Sequence, residues 1–145
     1  AKPSALADGL VVCHGGRMIL TLVRGLPGAG KSTYAAKLGV LVLEADMFFM
    51  RNGKYVFNAP DVKLAHTWCQ KATKTALDQG MDVAVANTFT QTWEIAPYVA
   101  LAARYKAKIR VVHCTGKFKN VHEVPQSKIV DMRNRWEDFP REEEV

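Results

Sequence analysis

The segment with the clearest chemistry is a glycine-rich run, GLPGAGKS, at positions 25–32. Its Gly-x-x-x-x-Gly-Lys-Ser spacing is that of a phosphate-binding loop, in which glycines let backbone N–H groups turn inward around phosphate oxygens. We expect Lys31 to reach the β- and γ-phosphates of a nucleotide and the Ser32 hydroxyl to ligate Mg²⁺. The pattern therefore predicts an ATP site with Mg²⁺, formed by Gly25, Leu26, Pro27, Gly28, Ala29, Gly30, Lys31, Ser32 and Thr33.

Phosphoryl transfer requires a second group that orients or deprotonates the acceptor near the γ-phosphate. Asp46 is the candidate for this catalytic role because it lies just past an apolar run, whereas Glu44 is expected within the end of that run. A second interpretation of Asp46 is a helix cap before the segment MFFM, since Asp is a favoured N-cap residue.

The acidic residue that usually ends a neighbouring strand in such sites is absent, and Ala86, Asn87 and Thr88 stand there instead. Mg²⁺ can keep several water ligands, so Ser32, the phosphates and an outer layer that includes Asn87 suffice for a metal site. The alternative is that Asn87 and Thr88 cap the next turn.

Four basic or titratable side chains are candidates for stabilising charge on the transferred group or for contacting the acceptor: Arg51, Lys117, Lys119 and His122. Asn87 and Thr88 are further candidates for acceptor or lid contacts. We count Lys119 with Lys31 and Asp46 as the predicted catalytic residues. The alternative for each basic side chain is an exposed position in water, which is where most lysines lie.

These residues need a scaffold that brings them to one edge. Four apolar runs predict buried strands at Met18–Val23, Val40–Leu43, Asp82–Ala86 and Lys108–Cys114. Helical spacing predicts helices at 31–38, 60–80, around Ile95 to Ala102 with Pro97 confined to the first turn, and from Pro125 through Trp136. Trp68, Trp93, Trp136 and Tyr98 fit helix core positions.

Strands that alternate with helices predict an α/β fold: an open, mostly parallel sheet of four to five strands with helices on both faces. Ligands of such sheets bind at the carboxyl ends of the strands. The predicted phosphate loop, Asp46, Asn87 and the segment after Cys114 all fall at that edge, and we expect them to meet there.

The composition of the chain indicates which binding partners and which compartment to expect. Twenty Lys and Arg against 14 Asp and Glu give a net charge of +6, which favours polyanions such as nucleic acid or nucleotides. Cys13, Cys69 and Cys114 are too widely spaced to suggest a disulfide framework or metal site, which indicates reduced thiols in the cytoplasm. No apolar run approaches the roughly 18 residues that span a bilayer.

The chain divides into two parts. Residues 1–17 are interpreted as an N-terminal extension or an expression remnant, and residues 18–145 as the kinase domain. The oligomeric state cannot be deduced from these patterns.

The chain resembles the polynucleotide-kinase-like P-loop kinases, which include the 5′-kinase domain of bacteriophage polynucleotide kinase. The resemblance runs from about Met18 to Phe139. It rests on five segments: RGLPGAGKST at 24–33, EADMFFMRNGKYVFN at 44–58, AHTWCQKA at 65–72, NTFTQTWEIAPY at 87–98 and KNVHEVPQSKI at 119–129.

The resemblance implies an adenylate-kinase-like sheet, ATP, Mg²⁺ and transfer of the γ-phosphate to a hydroxyl, with Asp46 matching the acceptor-activating aspartate. The chain departs from many members at Met47 and Ala86, where acidic residues are common, and at Phe118 and Lys119, where a lid carries arginine. The first hypothesis is a kinase that acts on a polynucleotide 5′-hydroxyl or a hydroxymethylated base. The alternative is an ATP-binding or ATPase switch without kinase activity.

Overall fold

The computed structural model describes residues 17–118 and 123–145. Within them lie seven strands and four helices, which we number in chain order: β1 (Ile19–Arg24), α1 (Lys31–Ala36), β2 (Leu41–Leu43), β3 (Met50–Arg51), β4 (Lys54–Tyr55), α2 (Val62–Asp78), β5 (Val83–Asn87), α3 (Thr92–Arg104), β6 (Lys108–His113), α4 (Gln126–Asn134) and β7 (Glu143–Glu144). Single 3₁₀ turns, Ala45–Phe49 and Ala59–Asp61, precede β3 and α2.

Five strands form one sheet in the order β2-β5-β1-β6-β7, and every neighbouring pair is parallel. This arrangement confirms the predicted α/β fold. The carboxyl ends of β2, β5, β1 and β6 therefore meet at one edge, where the loops that follow them converge. The remaining strands, β3 and β4, form a separate antiparallel hairpin.

The two faces of the sheet differ in the size of their side chains. Larger residues such as Leu20, Leu22 and Val85 pack with α2 and α3 in the main core cluster. On the opposite face Ala84 and Ala86 belong with Ala35 of α1 to a smaller cluster. Because side chains alternate along a strand, the short alanines of β5 all fall on one face and let α1 approach closely.

Three details of the sequence-based prediction were wrong. The last helix ends at Asn134, so Trp136 lies beyond it and stacks on His113 with ring centroids 4.5 Å apart. Pro97 lies inside α3 beyond its first turn, because a capping box of Gln91 and Glu94 begins the helix at Thr92. Trp93 is 68% exposed instead of buried in the core.

The other aromatic residues behave as predicted. Tyr98 is buried, and Trp68 packs against the main core cluster. In the described part of the chain, no helix is both long enough and apolar enough to cross a membrane.

Candidate functional site

The segment between β1 and α1 forms a tight loop whose shape depends on its glycines. Gly30 has φ +94°, a conformation that favours glycine, and it directly precedes the helix. A Cβ atom on Gly25 would lie 2.9 Å from the carbonyl oxygen of Cys114, so only glycine fits between the loop and the end of β6. The sequence thus folds locally as the predicted phosphate-binding loop.

The loop after β6 holds this segment from outside. The N–H of Phe118 donates to the carbonyl of Gly28 at 2.7 Å, and the N–H of Gly116 donates to that of Ala29 at 3.2 Å. Among the described residues no side chain caps the start of α1, and the first N–H groups of any helix lack intrahelical acceptors. The arrangement therefore offers backbone donors to an anion, as phosphate sites do.

Lys31 is folded back onto this loop. Its Nζ donates to the carbonyl of Leu26 at 3.1 Å. Burial lowers the pKa of the ammonium group, while the negative charges of Glu44 and Asp46 oppose that shift. A partly buried ammonium group held against this loop is suited to receive a triphosphate, whose charge would offset the cost of its burial.

A cavity of about 1120 Å³ opens in front of the loop. Its lining contains the predicted loop residues from Pro27 to Thr33, together with Asp46, Asn87 and Thr88. The strand ends thus bring most predicted site residues to one place. Gly25 and Leu26 are not among the described lining residues. The N–H of Gly25 donates to the Thr88 carbonyl, and the Leu26 carbonyl accepts the N–H of Ala29.

Asp46 lies in the 3₁₀ turn after β2 and faces the hairpin. The Tyr55 hydroxyl donates to Asp46 Oδ1 at 3.1 Å. Burial raises the pKa of that hydroxyl, and the Asp46 charge and hydrogen bond add to the shift, so Tyr55 remains a donor throughout the physiological range. The ring of Phe57 stacks near that of Tyr55 at an interplanar angle of 21°, and both line the cavity beside Val62 and His66.

Asn87 has a structural task that the sequence did not reveal. Its side-chain oxygen accepts the N–H of Ala45 at 2.9 Å, and its amide nitrogen lies 3.8 Å from Cys69 Sγ. These bonds tie the end of β5 to the turn that carries Asp46. The Asn87 amide therefore helps to hold the backbone of the turn that carries Asp46.

Of the remaining predicted residues, the structure describes Arg51 and Lys117, and Lys117 lies between two residues that bond to the phosphate loop. Arg51 donates to the carbonyls of Phe48 and Met50 in its own turn. Neither Arg51 nor Lys117 is among the described residues that line the cavity. Lys119 and His122 lie outside the described residues.

Two further residues at this edge were not predicted to have site roles. Glu44 lines the cavity, and its Oε2 accepts a hydrogen bond from the Ser32 hydroxyl at 2.7 Å. Arg24, fully buried at the end of β1, donates from Nη1 to Glu142 Oε1 at 2.6 Å and from Nη2 to the Phe89 carbonyl at 2.6 Å. A charged residue at the end of an apolar strand was the available signal in both cases.

Comparison with known proteins agrees with this geometry. The family model of an AAA domain matches residues 20–127. Human (Homo sapiens) NEDD4-binding protein 2 is 35% identical over 137 residues, covering 84% of the chain. The chain spans only 8% of the length of that relative.

Solved structures share the fold at low identity. The APS kinase CysC of Mycobacterium tuberculosis, solved with AMPPNP and APS, has a TM-score of 0.59 at 16% identity, covering 89% of this chain and 88% of that one. A sugar kinase from Janibacter scores 0.60 at 15%, covering 89% and 83%. A chain of the Pnkp1/Rnl/Hen1 RNA repair complex scores 0.55 at 17%, covering 89% and 42%. The chain thus has a kinase-like P-loop fold, which implies nucleotide binding.

Proposed function

The chain belongs to the AAA domain family, and from this premise we propose that it is an ATP-dependent kinase of the polynucleotide-kinase-like type. The kinase transfers the γ-phosphate of ATP to a hydroxyl of a nucleic acid or nucleotide-like acceptor, and residues 18–145 form its catalytic domain. The observation that carries the proposal is that Lys31, Ser32 and Asp46 line one cavity at the carboxyl edge of the sheet.

The loop side of the cavity fits Mg²⁺·ATP. Phosphates bind to the backbone N–H groups at the start of α1 and to the ammonium group of Lys31. The Ser32 hydroxyl is an oxygen donor of the kind that Mg²⁺ prefers. When bound, the metal would neutralise charge on the phosphate oxygens. Lys31 would add positive charge to the same group.

The opposite side of the cavity fits the acceptor. Asp46 accepts the proton of the attacking hydroxyl, and the hydrogen bond from Tyr55 fixes the direction of its carboxylate. The rings of Tyr55 and Phe57 present a partly exposed aromatic surface beside it. Stacking on aromatic rings is a common way of binding nucleobases, because every base has a flat face.

Two observations support a nucleic-acid acceptor. The net charge is +6, which attracts phosphodiester backbones. The fold is shared with a chain of an RNA repair complex. Separately, the free thiols of Cys69 and Cys114 support a cytoplasmic location for the proposed kinase.

The test is a transfer assay with γ-labelled ATP and Mg²⁺. Acceptors are 5′-hydroxyl RNA, 5′-hydroxyl DNA and hydroxymethylated DNA, with 5′-phosphorylated oligonucleotides as the negative control. We expect label on a hydroxyl, and Asp46→Asn should lower the rate about 10² to 10⁴-fold, the usual effect of a general base, with ATP affinity retained. Label that appears only as inorganic phosphate would contradict transferase activity.

A second candidate function is a nucleotide-binding switch without transferase activity. The observation in its favour is the absence of a carboxylate at the end of β5, where Ala86 and Asn87 stand. For such a switch Asp46→Asn leaves ATP binding and any hydrolysis unchanged. The same assay therefore separates the two functions.

A further inference from the structure

The Ser32 hydroxyl donates to a carboxylate that comes from β2 and not from β5. Glu44 follows the last residue of β2 with extended backbone, φ −138° and ψ 141°. Its Oε2 lies 2.7 Å from Ser32 Oγ. Because the proton of Ser32 is directed at Glu44, the lone pairs of the same hydroxyl are available to a cation.

Two hydrogen bonds hold the peptide group that joins Glu44 to the next residue. The next residue, Ala45, is buried and donates its N–H to Asn87 of β5 at 2.9 Å, and the carbonyl of Glu44 accepts the N–H of Met47 at 3.0 Å. Asn87 lies at the end of β5, where no carboxylate stands. It thus holds the backbone beside Glu44, which supplies a carboxylate after the neighbouring strand β2.

We propose that Glu44 supplies the acidic side chain of the Mg²⁺·ATP site, in the place left without one at Ala86. This inference rests on the ATP site of the proposed function. A cation bound by Ser32 at the usual Mg²⁺ to oxygen distance of about 2.1 Å is within reach of the Glu44 carboxylate, directly or through one water. Ser32 and Glu44 together then hold the metal.

The two carboxylates of this turn have separate tasks. Asp46 receives its hydrogen bond from Tyr55, on the acceptor side of the cavity. Glu44 receives one from Ser32, on the phosphate side, and its charge acts on Lys31 more strongly than that of Asp46 does. The tasks can therefore be tested independently.

Charge gives the proposal a signature that a purely structural role lacks. Without metal, the Glu44 carboxylate repels the triphosphate; with Mg²⁺ between them, it attracts the complex. Glu44→Gln should therefore bind metal-free ATP as tightly as the wild type or more tightly. The same variant should lose most of the gain that Mg²⁺ provides.

The experiment measures ATP affinity by calorimetry in EDTA and in excess Mg²⁺, and Mn²⁺ binding by electron paramagnetic resonance in the presence of AMP-PNP. We expect Glu44→Gln to weaken Mn²⁺ binding about 10 to 100-fold, as when a partner of a metal site is removed. Glu44→Asp, which withdraws the carboxylate by one methylene, should weaken it less.

Two matched variants complete the design. Asp46→Asn makes the same change of charge two residues away and should keep the wild-type gain from Mg²⁺. Asp78→Asn, at the exposed end of α2, controls for net charge. Thermal melting confirms that each variant is folded.

The proposal is overturned if Glu44→Gln keeps the full Mg²⁺ gain, or if Asp46→Asn loses as much of it. Its failure is distinguishable from that of the proposed function. If the Mg²⁺ gain in ATP affinity depends on Glu44 but no phosphate is transferred to a hydroxyl, the proposed kinase function is wrong and the proposed metal site is supported. If a Glu44→Gln variant transfers phosphate with unchanged Mg²⁺ dependence, the proposed metal site is wrong and the kinase function is supported.

Discussion

Replacement of the buried Arg24 by Met should lower the free energy of unfolding of the domain substantially. Arg24 is 0% exposed, and its guanidinium group donates to Glu142 Oε1 at 2.6 Å and to the carbonyls of Phe89 and Glu137 at 2.6 and 2.7 Å. The group also lies 4.0 Å from the ring centroid of Trp136. Met fills a similar volume but donates no hydrogen bond.

The magnitude follows from these contacts. Glu142 has only 12% of its side chain exposed, so the variant leaves two carbonyls without their donor and a largely buried carboxylate with only His113 Nδ1, 3.2 Å from its Oε2, as a close polar neighbour among the described residues. Removal of one partner of a buried ion pair costs about 3–5 kcal/mol. A domain of this size has a free energy of unfolding of about 5–15 kcal/mol, so the melting temperature should fall by about 10–15 °C.

The assay is urea unfolding together with calorimetric melting. Arg110→Met is the matched control, because Arg110 donates twice to Glu143, at 2.9 and 2.8 Å, while both side chains are more open to water, at 29% and 49% exposure. An exposed pair contributes about 0–1 kcal/mol. Equal losses in the two variants would refute the argument that burial of Arg24 sets the size of the effect.

Three further predictions concern the site. Tyr55→Phe should lower kcat about tenfold, because Asp46 loses a hydrogen bond to its charged form; steady-state kinetics that show an unchanged kcat would contradict this. ATP affinity should fall as pH rises through the pKa of Lys31, which burial lowers from 10.5, because only the charged amine attracts phosphate; calorimetry should show no such fall for Lys31→Arg. Burial raises the pKa of Cys69 and Cys114, so iodoacetamide at neutral pH should label both slowly until urea is added, as peptide mapping by mass spectrometry can show.

The parts of the fold that follow from local pattern were predictable from the sequence. Buried parallel strands give unbroken apolar runs, and α2 shows helical spacing over its whole length. The β3–β4 hairpin was missed although Asn52 and Gly53 stand between its strands with φ 51° and 79°, and Asn-Gly is a strong signal for a two-residue hairpin turn. The β7 strand consists of two glutamates, whose strand propensity is low, and it depends on pairing with β6.

The candidate site was predictable as far as the order of strands determines it. The phosphate loop and Asp46 lie at the carboxyl edge because the chain returns there after each strand. The orientation of Glu44 was not predictable, since one residue of difference in where β2 ends decides which way that side chain points. The acceptor contact of Arg51 stays a prediction, and in this structure its Nη1 donates to two carbonyls of its own turn.

The pair of Arg24 and Glu142 also affects the order in which parts of the domain fold during synthesis. The two residues are separated by 118 positions, and a ribosome that adds about 5–20 residues per second needs roughly 6–24 s to cover that distance. Throughout that interval the Arg24 guanidinium group lacks the Glu142 carboxylate, so we expect β1 to pack firmly into the sheet only after the segment with Glu142 is made. Nucleotide binding should therefore be acquired late in synthesis, once the segment from β6 to β7 has emerged.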